Sequence, residues 1–265
     1  MIIKEITSKS CLTKSKLTDY VINPYTGCQH GCKYCYATFI KRFQNIKEPW
    51  GEFIHIKKNC IELLEKELKK NKPGHIWLSS VTDAYQPIEN RTKLTREILK
   101  TILPHKNKFT VEILTKSSLV KRDFGIIKKL NSEIGLSINT LDKNVTKIIE
   151  PLASKPLERI KTLKQAEKEN IKVYGFISPL LPGITNLEEL FKELNFCNHV
   201  YIELLNTRKP ILNRLMPVIK KHFPEKIKDF EFAINNPEQH FKEIEKQAKV
   251  LSKKYNLKIK LIIKH

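Results

Sequence analysis

Apolar stretches of strand length alternate with amphipathic stretches along most of the chain. In the amphipathic stretches apolar side chains recur at helical spacing, as at Leu94, Ile98 and Ile102 and again at Leu157 and Ile160. Such alternation of strands and helices is typical of parallel α/β architecture. The six predicted strands of the main sheet span residues 20–23, 75–80, 109–116, 133–139, 172–178 and 200–206.

These six strand and helix units predict an α/β fold, a partial (β/α)6 barrel of the TIM type. Right-handed crossovers bring parallel strands around one side, and barrels of this kind carry their chemistry at the carboxyl ends of the strands. We expect one domain over residues 1–265, with its barrel core at about 18–206, because no repeat or long linker interrupts the chain. The prediction includes a short N-terminal extension, a strand and helix inserted after residue 51, and a C-terminal extension over residues 207–265.

The chain is strongly basic, with 49 lysine and arginine residues against 28 aspartate and glutamate residues and a formal net charge of +21. A basic surface attracts nucleic acid through its phosphates, so nucleic acid is a candidate partner. Most of the basic residues are lysines spread over the helical segments, which equally fits a compositional bias with a solvated surface. The charge alone leaves both interpretations open.

The apolar pattern also bears on the compartment. No apolar run reaches the roughly 18 residues of a membrane span. The first residues lack the charged and then apolar plan of a signal peptide. We therefore expect a cytoplasmic protein with no membrane partner.

Three cysteines lie in one short loop after the first predicted strand. Cys28, Cys32 and Cys35 have the spacing C-x3-C-x2-C, which offers three thiolates from a single segment. A cubane 4Fe-4S cluster takes four ligands, usually thiolates, so three from the protein leave one iron open to another ligand. This pattern predicts a cluster that takes part in catalysis.

Two other uses of the cysteines compete with a cluster. A closed zinc site needs a fourth ligand, for which only His30 lies within the loop. A disulfide framework is disfavoured by the few cysteines. We expect Cys60 and Cys197 to be small buried side chains.

The cysteine loop with Tyr34, the segment at residues 79–87 and the triplet at 115–117 resemble the radical S-adenosylmethionine superfamily, in its spore photoproduct lyase-like branch. The resemblance runs over about residues 20–206. It implies a 4Fe-4S cluster and S-adenosyl-L-methionine as cofactors, and a ferredoxin- or flavodoxin-like protein as one-electron donor. It also implies reductive cleavage of S-adenosylmethionine to a 5'-deoxyadenosyl radical that abstracts hydrogen from a substrate.

The same resemblance assigns site residues along the strand ends. Lys116 is expected at the methionyl carboxylate, Ser137 with Asn139 near the ribose, and Pro182 beside the adenine. Strand alternation independently places Ser137 and Asn139 on one face. The complete set expected around S-adenosylmethionine is Tyr34, Tyr36, Ser80, Thr82, Asp83, Lys116, Ser137, Asn139 and Pro182, with Cys28, Cys32 and Cys35 as metal ligands.

Two further carboxylates have alternative interpretations. Alternation also places Glu112 on the face of Lys116, which suits either an internal ion pair or a ligand role. Glu203 and Asn206 at the last predicted strand are weaker candidates for holding substrate.

The substrate does not follow from the resemblance. Lyases of this branch have a hydrogen-donating cysteine in a C-T-S-D segment, and Ser80 occupies that position here. Pyrimidine-dimer repair is therefore disfavoured, and the substrate, a nucleic acid or a peptide, stays unidentified. The alternative functions are a zinc- or iron-sulfur-stabilised nucleic-acid-binding module and an electron-transfer protein without S-adenosylmethionine chemistry.

Overall fold

Eleven strands form two sheets in the computed structural model, which describes residues 1–265. The strands are β1 Ile2–Ile6, β2 Leu12–Lys14, β3 Tyr20–Ile22, β4 Tyr25–Thr26, β5 Phe53–Lys57, β6 Gly74–Leu78, β7 Phe109–Thr115, β8 Ser132–Ser137, β9 Lys172–Leu180, β10 His199–Leu204 and β11 Ile259–Ile263.

Eleven α-helices accompany the strands. They are α1 Ile40–Phe43, α2 Cys60–Lys70, α3 Glu89–Thr92, α4 Leu94–Ile102, α5 Phe124–Ile127, α6 Lys143–Ile149, α7 Pro156–Lys168, α8 Leu187–Leu194, α9 Lys209–His222, α10 Ile227–Asn235 and α11 Pro237–Tyr255.

The larger sheet has the strand order β11-β10-β9-β8-β7-β6-β3-β2. Its six central strands, from β3 to β10, correspond to the six strands predicted from the sequence. All six are parallel to their neighbours, β11 joins them in parallel and β2 pairs antiparallel with β3. The sheet is open, because β2 and β11 end it without pairing to each other. The predicted α/β fold with a partial barrel is confirmed.

Burial alternates along β7, which shows how the sequence builds the barrel wall. Phe109, Val111 and Ile113 are buried, whereas Thr110 and Glu112 between them are only partly buried. The buried side chains belong to a large apolar cluster with the covering helices. Helices that cover one face of a parallel sheet account for this arrangement.

A second apolar cluster supports the cysteine loop. It joins Cys32 and Tyr34 of that loop to Ile149 at the end of α6, Leu215 of α9 and Phe230 of α10. The C-terminal extension thus packs against the loop. A single domain over residues 1–265 stays a prediction.

The N-terminal extension contains a sheet of its own. β1 pairs in parallel with β5, and β4 pairs with the other edge of β5. The strand and helix predicted after residue 51 are β5 and α2, whereas β1 was not predicted. No helix of the chain combines the length and the apolar composition needed to cross a membrane.

Cys60 is not the free apolar side chain that the sequence suggested. It forms a disulfide with Cys11, and the two Cα atoms are 5.1 Å apart, which lies within bridging range. Both residues are buried, as expected for Cys60, whereas the bond between them was not predicted. The bond joins residues 49 positions apart in sequence, a pairing that spacing alone does not reveal.

Candidate active site

The carboxyl ends of the parallel strands surround a cavity of about 160 Å3. Its walls come from the cysteine loop after β3 and from the ends of β6, β7, β8, β9 and β10, where a barrel of this kind is expected to carry its chemistry. Asn139 and Pro182 are buried but do not line it. The predicted site residues that do line it are Cys28, Cys32, Cys35, Tyr34, Tyr36, Ser80, Thr82, Asp83, Lys116 and Ser137.

The three cysteines of the loop are free thiols at this cavity. Burial raises the pKa of Cys28 well above its ordinary value, and the nearby Asp83, Cys32 and Cys35 raise it further. Burial likewise raises the pKa values of Cys32 and Cys35. Since bound metal ions remove the protons of thiols outright, cations at this position would stabilise three thiolates that burial otherwise disfavours.

The donor set fits an iron-sulfur cluster with three protein ligands. The remaining cysteines do not line the cavity. Cys11 and Cys60 are bonded to each other, and Cys197 is a buried free thiol. No three side chains of histidine, cysteine, aspartate or glutamate converge closely enough to hold a single metal ion. In a cluster, by contrast, each thiolate binds a different iron.

His30 also lines the cavity, beside Asp83. Its Nδ1 lies 3.3 Å from Oδ2 of Asp83, and its Nε2 is buried without a hydrogen-bond partner. One ring nitrogen is therefore engaged within the protein and the other is unpartnered.

Asp83 ties the cysteine loop to the second and third parallel strands. Its carboxylate accepts hydrogen bonds from the hydroxyl of Thr115 (2.6 Å) and from the backbone N–H groups of Lys116 (2.8 Å) and Tyr85 (2.8 Å). Burial alone would raise the pKa of Asp83, but His30 and the hydrogen bonds from Thr115 and Lys116 lower it to about 2. Both carboxylate oxygens are thus occupied by the protein, and a contact of Asp83 with cofactor stays a prediction.

The segment after β6 is also bonded to the cysteine loop. Thr82 Oγ1 donates to the carbonyl of Gly27 at 2.5 Å, and the hydroxyl of Tyr36 donates to the carbonyl of Ser80. Gly27 has a φ of 89° and faces Phe53 so closely that a Cβ would collide with its backbone, which explains the need for glycine here. The hydrogen bonds from the segment after β6 therefore hold the cysteine loop in position.

Lys116 and Ser137 meet across the ends of β7 and β8. The ammonium of Lys116 donates to Ser137 Oγ at 2.7 Å and lies 4.0 Å from Oε1 of Glu150. Ser137 Oγ donates in turn to the carbonyl of Ser178 at 2.9 Å. This chain of contacts places a positive charge at the cavity wall.

Of the two interpretations of Glu112, an ion pair with Lys116 is not what the structure shows. Glu112 lies 3.1 Å from Nε2 of His75 and accepts a 2.6 Å hydrogen bond from the hydroxyl of Tyr174. Four residues of extended strand span about 13 Å, so two side chains on one face meet different neighbours.

A buried ion pair behind the cysteine loop was not predicted. Glu150 is fully buried and pairs with the guanidinium of Arg159. Its carboxylate also accepts hydrogen bonds from the hydroxyl of Tyr34 and from Nδ2 of Asn139, the latter at 3.1 Å. Burial would raise the pKa of Glu150, but Arg159 and Lys116 lower it below its ordinary value. Asn139 thus donates to Glu150 and does not line the cavity.

The far wall of the cavity contains Glu203 and Asn206, the two weaker candidates, at the end of β10. Glu203 accepts a hydrogen bond from the hydroxyl of Ser178 and lies 2.9 Å from Nε2 of His265. Phe176 and His265 also line this wall, and neither was predicted from the sequence. The only available signal for Phe176 was its position on a predicted strand.

The opposite, amino end of the barrel contains a second polar group of side chains. We call His75, Glu112, Glu133, Tyr174 and His199 the amino-end cluster. The rings of Tyr174 and His199 stack with centroids 5.3 Å apart, and Nδ1 of His199 lies 3.5 Å from Oε1 of Glu133. These histidines show no ligand spacing along the chain, and the fold brings them together with carboxylates from neighbouring strands.

The fold and the site together define an open parallel α/β barrel with three free cysteines at the carboxyl ends of its strands. The sequence model of the Radical SAM superfamily matches residues 22–197. The chain belongs to this superfamily and is a radical SAM enzyme.

Proteins similar in sequence include the following two. An uncharacterized protein of Methanocaldococcus jannaschii is 39% identical over 227 residues, which covers 84% of each chain. An uncharacterized protein of Acidianus two-tailed virus is 30% identical over 185 residues, covering 66% of this chain and 60% of the viral protein.

Several solved structures of spore photoproduct lyase are similar in fold. A variant of spore photoproduct lyase with bound AdoMet and dinucleoside spore photoproduct matches with a TM-score of 0.69 at 17% identity. The match covers 98% of this chain and 81% of that chain. It confirms the predicted likeness to spore photoproduct lyase at the level of the fold.

Proposed function

We propose that the chain binds a 4Fe-4S cluster through Cys28, Cys32 and Cys35 and reductively cleaves S-adenosyl-L-methionine beside it. The observation that carries the proposal is that three free thiols of one loop line a single cavity together with Lys116 and Ser137. Membership of the superfamily implies both cofactors. When bound, they supply a 5'-deoxyadenosyl radical that abstracts hydrogen from a substrate.

Lys116 binds the methionyl carboxylate of S-adenosylmethionine in this proposal. Its ammonium lines the cavity, and charge-assisted hydrogen bonds to carboxylates are among the stronger ones. Ser137 and Glu150 restrict where the ammonium can point. This restriction orients the cofactor before reaction, which is the protein's main contribution to cofactor chemistry.

The tyrosines of the loop contribute to cofactor binding. Tyr34 is buried with its hydroxyl held by Glu150, and Tyr36 is partly exposed with its hydroxyl held by the Ser80 carbonyl. We assign both rings to the adenine region, with Ser80 and Thr82 near the methionyl amine. The hydroxyl groups of Tyr34 and Tyr36 are fixed by these hydrogen bonds, so each ring presents a defined surface to the cofactor.

The cavity wall also includes apolar side chains, which limit water at the reacting atoms. Trp77, Leu114 and Phe176 line it together with Trp50. A radical intermediate is protected when few stray hydrogen donors and little water reach it. We propose that these side chains exclude both.

The substrate is proposed to be a nucleic acid, on the basis of the net charge of +21. Pyrimidine-dimer repair of the lyase type is not proposed. Ser80 lacks the weak S–H bond that a hydrogen donor needs, and its hydroxyl oxygen accepts a hydrogen bond from Asn23 at 3.3 Å. The electron source is proposed to be a ferredoxin- or flavodoxin-like protein.

Anaerobic reconstitution tests the proposal. The purified protein is loaded with iron and sulfide, reduced with dithionite and assayed for 5'-deoxyadenosine. We expect cluster-dependent formation of this product and a change in the cluster's spectrum when S-adenosylmethionine is added. An intact cluster that neither responds to S-adenosylmethionine nor cleaves it would indicate electron transfer instead. Stoichiometric zinc without iron or sulfide would indicate the zinc-stabilised alternative.

A further inference from the structure

A second cavity, of about 550 Å3, adjoins the cysteine-lined one, because Trp50 lines both. We call it the basic groove, after the four cations that line it: Lys41, Arg42, Lys47 and Arg214. The other lining residues include no aspartate or glutamate. The groove therefore presents positive charge alone, directly beside the candidate active site.

None of these four cations forms an ion pair in the structure, whereas Lys116, Arg122 and Arg159 all do. Like charges placed close together repel, and a surface that keeps them together without counter-charges attracts an anionic partner. Elsewhere in the chain the basic residues are dispersed, whereas four of them line this one concave surface.

Arg214 connects the basic groove to the cysteine loop. Its guanidinium donates to the carbonyl of Cys35 and to the carbonyl of Pro210, the latter at 3.3 Å. The side chain is only partly exposed. Arg214 is thus held in place between the two cavities, unlike a mobile surface lysine.

Two exposed aromatic rings stand in the segment that supplies Lys41 and Arg42. Phe39 is 44% exposed and Phe43 is 80% exposed, with ring centroids 6.1 Å apart. Exposed rings beside cations are the combination that binds single-stranded nucleic acids, since bases stack on the rings while phosphates meet the cations. An acidic peptide would use the cations but have no bases to stack.

We propose that the basic groove binds the phosphodiester backbone of a single-stranded nucleic acid, so that one of its nucleotides reaches the cysteine-lined cavity past Trp50. This proposal rests on the proposed function in one respect, because it takes the bound strand to be the substrate of the enzyme. Phe39 and Phe43 stack neighbouring bases outside the cavity.

The charge contribution is tested with the double variant Arg42→Glu/Lys47→Glu. Neither side chain makes an ion pair or a side-chain hydrogen bond that the substitution would break. The matched control is Lys246→Glu/Lys253→Glu, an equal charge change at exposed positions of α11. Binding of a fluorescent single-stranded oligonucleotide of about 20 nucleotides, longer than typical binding sites, is followed by anisotropy at several salt concentrations on the reconstituted protein.

We expect the groove variant to weaken binding about tenfold or more. The slope of log affinity against log salt should fall in magnitude by about 1.4, or about 0.7 for each lost phosphate contact. The control variant should change the affinity much less. Equal weakening by both variants, or none by the groove variant, would overturn the proposal.

The aromatic contribution is tested with Phe43→Ala. We expect weaker binding of the oligonucleotide with an unchanged salt slope, because stacking releases no counterions. Binding of heparin, a polyanion without bases, should not change. If polyglutamate or heparin displaces the oligonucleotide as effectively as an unlabelled strand does, the partner is a general polyanion and the assignment is wrong.

Failure of this inference is separable from failure of the proposed function. The binding measurement uses neither reductant nor S-adenosylmethionine. Protein that cleaves S-adenosylmethionine but shows no groove-dependent strand binding would overturn the groove alone. Protein that binds the strand through the groove but never cleaves S-adenosylmethionine would overturn the proposed function instead.

Discussion

The two ends of the barrel place the same kinds of side chain in opposite settings. At the carboxyl end Glu150 is fully buried and faces the full charge of Arg159. At the amino end the side chain of Glu112 is 22% exposed, and its partners are the phenol of Tyr174 and the imidazole of His75. Three free thiols meet at one cavity at the carboxyl end, whereas the amino end has a single free thiol, Cys197, which lies just before β10 and does not line that cavity. Polarity inside a barrel therefore does not identify the reactive end; unbonded donor atoms at a cavity do.

The largest difference between the two ends is expected from the thiols themselves. Serine in place of Cys28, Cys32 or Cys35 should reduce bound iron and 5'-deoxyadenosine formation to background, because each thiolate holds a different iron. The control is Cys197→Ser, which changes a buried free cysteine that lies outside the cavity. Iron and sulfide content and product are measured after reconstitution. A loop variant with full iron content would contradict the ligand assignment.

The next largest effect is expected from Glu150→Gln. This substitution removes the counter-charge of Arg159 while the guanidinium stays buried, which typically costs about 3–5 kcal/mol. Urea unfolding of the reconstituted variant and wild type measures the loss. A cost near that of an exposed pair, below about 1 kcal/mol, would mean that Arg159 finds another partner and that the two ends do not differ as described.

A smaller effect is expected from Lys116→Met, which removes the proposed partner of the methionyl carboxylate. Loss of a hydrogen bond to a charged group costs about 1.5–3 kcal/mol, so KM for S-adenosylmethionine should rise about ten- to hundredfold. Lys172→Met is the matched control, at the exposed start of β9 at the amino end. Steady-state cleavage assays measure both. An equal rise of KM in the two variants would show a general charge effect.

The smallest effect is expected from Glu112→Gln in the amino-end cluster. Burial raises the pKa of Glu112, but hydrogen bonds from His75 and Tyr174 lower it below its ordinary value of 4.5. A lowered pKa contributes stability above the ordinary value and loses it as the pH falls. The substitution should therefore cost about 1 kcal/mol at neutral pH and progressively less below pH 4.5.

Urea unfolding at neutral and acidic pH measures the Glu112→Gln difference, and cleavage of S-adenosylmethionine should be unaffected. A cost that grows on acidification would show that Glu112 has a raised pKa instead. A cost equal to that of Glu150→Gln would remove the contrast between the ends.

The strand positions and the cysteine loop were predictable because their signals are local. Buried strands show as apolar runs, and the ligand spacing lies within one loop. The pairing of Glu150 with Tyr34 joins residues 116 positions apart, and no local pattern encodes it. Glu112 was placed on the correct face of β7 but with the wrong partner, because strand alternation gives a face and not a neighbour.

The family resemblance was likewise limited in assigning individual side chains to the site. Asn139 and Pro182, which the resemblance assigned to the cofactor, do not line the cavity, so a contact of either with cofactor stays a prediction. Asn139 donates to Glu150 instead. A motif specifies which strand end is involved, whereas the direction of each side chain depends on packing from helices elsewhere in the chain.

The open sheet has a further consequence for how copies of this protein behave toward one another. β11 ends the sheet and leaves one of its edges unpaired. Lys260 lies between Ile259 and Leu261 of this strand, and Lys258 and Lys264 flank it. Lysines on an edge strand hinder its pairing with a strand of another molecule. Part of the basic surplus thus keeps an unclosed barrel from assembling edge to edge.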